Sequence, residues 1–291
     1  MLELKLEKVS KVYGSKRAVD GIDCSLSYGV YGLLGANGAG KTTLLRMICG
    51  ILEATEGRIT CEGMEIRKMG ARYRRLLGYL PQNFGYYPEF TARKFLLYLA
   101  ALKAIPREEA SEKVEELLQL VDLEQVKDKK IKTFSGGMVR RLGIAQALLG
   151  DSEILILDEP TAGLDPKERI RFRNIISALS KERIIILSTH IVSDVEYIAD
   201  KILLMKDGRL LSAGDIGQML EQVRGKVWEC CVRPEEAESY QAKFSVSNLR
   251  NTEQGVKLRI VSNVCPLPEA VPADPDLEDV YLYYFREVGK S

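Results

Sequence analysis

GVYGLLGANGAGKTTLLRMIC, residues Gly29 to Cys49, changes character twice. It begins as an apolar strand over Gly29–Gly35, turns glycine-rich, and continues from Thr42 to Cys49 as a helix. Its centre, GANGAGKTT from Gly35 to Thr43, satisfies G-x-x-x-x-G-K-[ST] directly after a strand and directly before a helix. That pattern binds phosphate. The loop Gly35, Ala36, Asn37, Gly38, Ala39, Gly40 turns its backbone N–H groups toward phosphate oxygens. Lys41 supplies a point charge to the β- and γ-phosphates, Thr42 a hydroxyl for Mg²⁺, and the helix start a favourable dipole that reaches Thr43.

On the N-terminal side, MLELKLEKVSKVYG alternates apolar and charged residues. Leu2, Leu4 and Leu6 share one face of a first strand, and the pattern is not the apolar core of a signal peptide. On the C-terminal side, residues 57–67 read as a hairpin around Glu62-Gly63, and LLGYLPQ contains a short strand. After Gln82 the chain turns helical over residues 91–149. Phe95, Leu96, Leu99 and Leu102 have helical spacing, as do Val114, Leu117, Leu118 and Val121, and Pro106 separates the two helices. Three continuous apolar strands follow, in EILILDEP, RIIILSTH and KILLMKDG. Such strands interleaved with helices predict a largely parallel sheet covered on both faces. Composition shifts after residue 219, and 219–291 reads as a small α+β appendage that closes on a helix in LEDVYLYYFRE.

The bulk numbers suit this α/β reading. The chain has 291 residues, 46% hydrophobic and 29% charged, which fits a packed globular protein. A formal net charge of +1 gives no bulk electrostatic reason to expect nucleic acid as a partner. The six cysteines lack C-x-x-C spacing and there is one histidine, so a zinc site is not expected and the thiols read as reduced. No apolar stretch reaches the ~18 residues of a membrane span. The expectation is a soluble protein that reaches a membrane only through a partner.

Two further stretches carry chemistry. ILILDEP delivers Asp158 and Glu159 to the C-terminal end of a buried strand. Asp158 suits the shell of a Mg²⁺ and Glu159 suits polarising a water, although an acidic strand-to-loop turn is common by itself. FSGGMVRRL reads as a helix start, with Ser135 as cap and exposed N–H groups at Gly136 and Gly137. Alone this is an ordinary capped helix. Beside the phosphate loop it is a second anion site, which one nucleotide does not need from one chain.

Taken in order, GANGAGKTT, LPQ, FSGGM, ILILDEPTAGLD and STH resemble the ATP-binding cassette of ABC transporters, over residues 1 to about 218. The resemblance implies a P-loop fold: a RecA-like core, an N-terminal antiparallel β subdomain and a helical insert at about 87–149, with 219–291 as a C-terminal accessory domain. It implies ATP and Mg²⁺ as cofactors, with Thr42, Gln82 and Asp158 around the metal. Gln82 would be the lever between γ-phosphate and membrane partner, Glu159 the base, and His190 and Lys41 the groups on the γ-phosphate. Tyr13 would stack on adenine. Ser135, Gly136 and Gly137 would contact ATP held by a second cassette, in a homodimer or heterodimer, and Ala162, Gly163, Leu164 and Asp165 would cross that interface.

One departure is Phe134 and Met138 where the family usually has leucine and glutamine. Methionine cannot make glutamine's polar contacts. This FSGGM form resembles bacterial exporter ATPases whose transmembrane permease is a separate polypeptide, and the C-terminal domain points the same way. The implied place is the cytoplasm, at the inner face of the membrane. The aromatic segment Phe84, Tyr86, Tyr87, Phe90 reads either as a docking surface for that permease or as a seal on the insert's core. The rival readings are a soluble ABC ATPase, for example of the iron–sulfur assembly type, and a catalytically silent cassette. Lys41, Asp158, Glu159 and His190 argue against the last.

Overall fold

The structure is a computed structural model describing residues 2–150 and 152–285. It divides into two compact units: Met1–Lys201 with Met205–Leu210, and Ile202–Leu204 with Leu211–Ser291.

In the first unit the chain runs β1 (Leu4–Tyr13), β2 (Lys16–Leu26), β3 (Gly29–Leu34), α1 (Lys41–Ile48), β4 (Glu56–Cys61) and β5 (Met64–Glu65). Strands β2-β1-β4-β5 form an antiparallel sheet. The sequence reading passes from β1 to β3 and misses β2. The reason is visible in KRAVDGIDCSL: its glycine and its irregular burial break the alternation that marks a half-buried strand, and its register against β1 is interrupted by shifts.

Helices α2 (Ile66–Met69) and α3 (Ala71–Leu76) lead into β6 (Leu77–Leu80). The helical insert is α4 (Ala92–Leu102), α5 (Arg107–Leu120) and α6 (Gly136–Leu148). Thr91 caps α4 by accepting from Lys94 N, and Pro106 stands at the start of α5. Next come β7 (Ile154–Asp158), α7 (Pro166–Leu179), β8 (Ile184–Thr189) and α8 (Val192–Glu196). The parallel strands read β3-β8-β7-β6. Every residue of β7 and β8 is buried, which is why both are apolar without alternation. The C-terminal ends of β3, β7 and β8 therefore come together.

The boundary between the units runs within β9 (Lys201–Lys206) and β10 (Arg209–Gly214). The second unit continues with α9 (Ile216–Glu221), β11 (Val227–Val232), α10 (Pro234–Lys243), β12 (Ser245–Thr252), β13 (Gly255–Val261), β14 (Val271–Pro272) and α11 (Leu277–Phe285). The last two residues of the expected LEDVYLYYFRE helix lie outside the described residues. The sheet order is β12-β13-β11-β14. Cys230, Val232, Val256, Leu258 and Ile260 pack with Ala237 of α10. A second contact holds α11 by charge: Arg259 Nη2 lies 2.7 Å from Asp279 Oδ2, and the fully buried Asp279 also accepts from Ser247 Oγ at 2.8 Å. Removing one partner of such a pair costs roughly 3–5 kcal/mol, because the other charge stays buried. All six cysteines are free thiols.

Candidate functional site

A cavity of about 420 Å³ is lined by Lys16, Ala18, Asn37, Gly38, Gly40, Lys41, Thr42, Thr43, Gln82 and Glu159. Gly40 has φ +102, and a Cβ there would run into the carbonyl oxygen of Ala18, so only glycine lets the loop enter α1 at this point. Lys41 is 6% exposed. Its Nζ donates to Gly35 O at 2.7 Å and Ala36 O at 3.2 Å, and lies 3.5 Å from Glu159 Oε1. Burial pushes its pKa down, while the Glu159 and Asp158 carboxylates pull it back up. Ala39 N donates to Ala36 O at 3.2 Å and closes the loop.

Asp158 ends β7 beside α1. Its Oδ1 accepts from Thr42 Oγ1 at 3.2 Å and from Ser188 Oγ at 2.7 Å. Its Oδ2 is buried and has no hydrogen-bond partner among the described residues. A buried carboxylate oxygen left bare next to a threonine hydroxyl fits a small oxygen-seeking divalent cation. Glu159 follows with φ +49, an uncommon backbone for a side chain of this size. Its Oε2 lies 3.0 Å from His190 Nδ1. The carboxylate accepts, so Nδ1 carries the proton. Asp158, Glu159, His190, Lys41 and Thr42 are thus brought into one polar cluster at the strand ends.

Other expected residues stand apart. Gln82 is exposed, lines the cavity, and accepts through its carbonyl from Arg140 Nη1 at 2.8 Å. Tyr13 is 49% exposed and pairs across the β1–β2 turn with the cavity-lining Lys16, with Lys11 Nζ 5.4 Å from its ring centroid. Ser135, Gly136 and Gly137 do not line the cavity. Ser135 is exposed and caps α6 by accepting from Met138 N at 3.2 Å. At Gly137 a Cβ would press on the Glu168 side chain, 2.7 Å away. Glu168 cannot easily give, since the buried Arg141 holds it at 3.0 Å. Ala162, Gly163 and Leu164 form the turn after Pro160, and Asp165 caps α7 by accepting from Glu168 N at 2.9 Å.

Sequence reasoning missed Lys16, Ala18, Arg140 and Ser188. Lys16 and Ala18 belong to no motif. The signal for Ser188 was available: with Thr189 it puts two hydroxyls at the end of the apolar run IIIL in β8.

The model of the family described as ABC transporter matches residues 19–162. The bacitracin transport ATP-binding protein BcrA of Bacillus licheniformis is 40% identical over 211 residues, covering 72% of this chain and 68% of that one. The chain belongs to the ABC transporter family. Nod factor export ATP-binding protein I of Burkholderia orbicola is 35% identical over 224 residues, 76% of this chain and 74% of that one. The solved structure of cbiO1 from Clostridium perfringens superposes with a TM-score of 0.66 at 31% identity, covering 73% of this chain and 88% of that one. As an ABC cassette the chain binds and hydrolyses ATP, which agrees with a phosphate-loop cavity that ends in a carboxylate. Among the described residues no helix is long and apolar enough to cross a membrane.

Proposed function

We propose that the chain powers an exporter through a separate transmembrane permease, and that it acts as one of two cassettes closing head-to-tail over two Mg·ATP. The observation that carries this reading is the division of anion-binding groups between two places. The phosphate loop, Asp158, Glu159 and His190 form one cluster, whereas the Ser135 helix start is exposed outside the cavity. A second chain supplies what each place lacks. The names of the bacitracin and Nod factor relatives support export as the direction of transport.

In this reading Thr42, Asp158 and Gln82 hold Mg²⁺, which would neutralise charge on the β- and γ-phosphate oxygens. Lys41 and His190 hold the γ-phosphate and Tyr13 stacks on adenine. Glu159 accepts the proton of a water as its oxygen attacks the γ-phosphorus and the bond to the β–γ bridging oxygen breaks. The partner's Ser135, Gly136 and Gly137 complete the donor set, and Ala162–Asp165 cross between the cassettes. Gln82 passes the change to the permease. Tyr86 and Tyr87 are exposed while Phe84 packs edge-on to the buried Phe95 at 5.8 Å, so the aromatic segment is rooted in the insert and presents a face for docking. The reading places the chain at the inner face of the membrane in the cytoplasm. It also makes residues 1–218 the cassette, with its helical part at about 87–149, and 219–291 an accessory domain.

Specific ATPase activity measured at falling protein concentration tests the pairing. It should drop as dimers dissociate. Activity independent of dilution overturns the two-cassette reading. Co-purification of the permease from native membranes tests the transport half.

A further inference from the structure

The hydroxyl of Ser188 joins the two carboxylate residues of the site. Ser188 is fully buried near the end of β8 and pairs with Asp158 on β7 and Leu33 on β3. Its Oγ lies 2.7 Å from Asp158 Oδ1 and 3.0 Å from Glu159 N. Chemistry fixes the direction of both bonds. A carboxylate only accepts and a backbone N–H only donates, so the serine proton points to Asp158 and a serine lone pair receives Glu159 N–H. The carbonyl of Ser188 takes the same N–H at 3.2 Å. One buried residue thus holds Asp158 Oδ1 together with Thr42, while Oδ2 stays bare, and pins the peptide of Glu159, whose φ of +49 needs an outside restraint. The Glu159 side chain then reaches both Lys41 and His190.

We propose that Ser188 is a positioning residue for hydrolysis, coupling the metal-facing carboxylate to the base through a single hydroxyl. Ser188 is fully buried, so removing its hydroxyl leaves Asp158 Oδ1 with the Thr42 hydroxyl and Glu159 N with the Ser188 carbonyl. This rests on the roles given above to Asp158 and Glu159.

The test compares Ser188→Ala and Ser188→Thr, with Glu159→Gln as reference. Ser188→Ala should lower kcat about 10- to 100-fold, the scale of one buried hydrogen bond to a charged group. KM for ATP should shift less than about threefold, because the phosphate loop is untouched. Affinity for Mn²⁺ in the ADP-loaded protein, read by electron paramagnetic resonance, should fall about tenfold. Ser188→Thr keeps the hydroxyl and suits a strand, so it should recover most of both losses. Melting temperature and ADP binding show that each variant is folded. A folded Ser188→Ala with kcat and Mn²⁺ affinity within twofold of wild type overturns the proposal. So does equal loss in the alanine and threonine variants. If Glu159→Gln hydrolyses ATP normally, the assignment of the base has failed instead, and Ser188 positions something other than the base.

Discussion

The phosphate cavity and the Ser135 helix start both offer backbone N–H groups at a helix N-terminus, yet they differ in what surrounds them. At α1 the first helical residue is itself a buried lysine, near an orphaned carboxylate oxygen and a second carboxylate held by a histidine. At α6 the cap is exposed, its hydroxyl is already engaged by Met138 N, and Arg141 and Glu168 nearby on α6 and α7 satisfy each other. A helix N-terminus therefore attracts an anion anywhere, but chemistry needs groups delivered from other strands. The sheet brings such groups to α1.

Glu159→Gln probes the complete side most severely. Turnover should fall about 10²–10⁴-fold, the usual share of a general base, while ATP still binds and light scattering detects a trapped dimer. Normal turnover would remove Glu159 from the role. Ser135→Arg probes the incomplete side. Hydrolysis should drop about 100-fold, comparable with losing one oriented donor, yet ATP affinity of the isolated chain should be unchanged. If the affinity falls as well, the helix start belongs to the chain's own site and the contrast collapses.

Mixing Ser135→Arg with Lys41→Ala sharpens the point. In a mixed pair both lesions fall on one composite site and the other is intact, so some activity should return. Alone, Lys41→Ala should weaken ATP binding roughly 10- to 100-fold by calorimetry, the scale of charge-assisted hydrogen bonds to phosphate. The smallest effect belongs to Tyr13→Ala. Its ring is half exposed, so losing it should weaken ATP roughly 2- to 10-fold with kcat unchanged, as measured by fluorescence of an ATP analogue.

Much of this was legible because local patterns coincide with local causes. The loop between β3 and α1 and the strands β7 and β8 could be read from contiguous residues. Among the gaps were β2 and β12, where polar, partly exposed strands lack clean alternation. Pairing with β1 and β13 makes them strands, and that is a non-local fact.

The sequence by itself determined that a phosphate loop, an acidic strand end and a capped helix occur in this chain, because each is a run of neighbouring residues with its own backbone or charge requirement. Only the tertiary structure decided which of them meet. Parallel pairing of β7 with β8 sets Asp158 opposite Ser188 and brings His190 to Glu159, 31 residues away along the chain. The same packing leaves Asp158 Oδ2 buried and unpaired, and leaves Ser135 at the surface. Strand register and burial arise from contacts between distant segments, so neither is written in any one stretch of sequence.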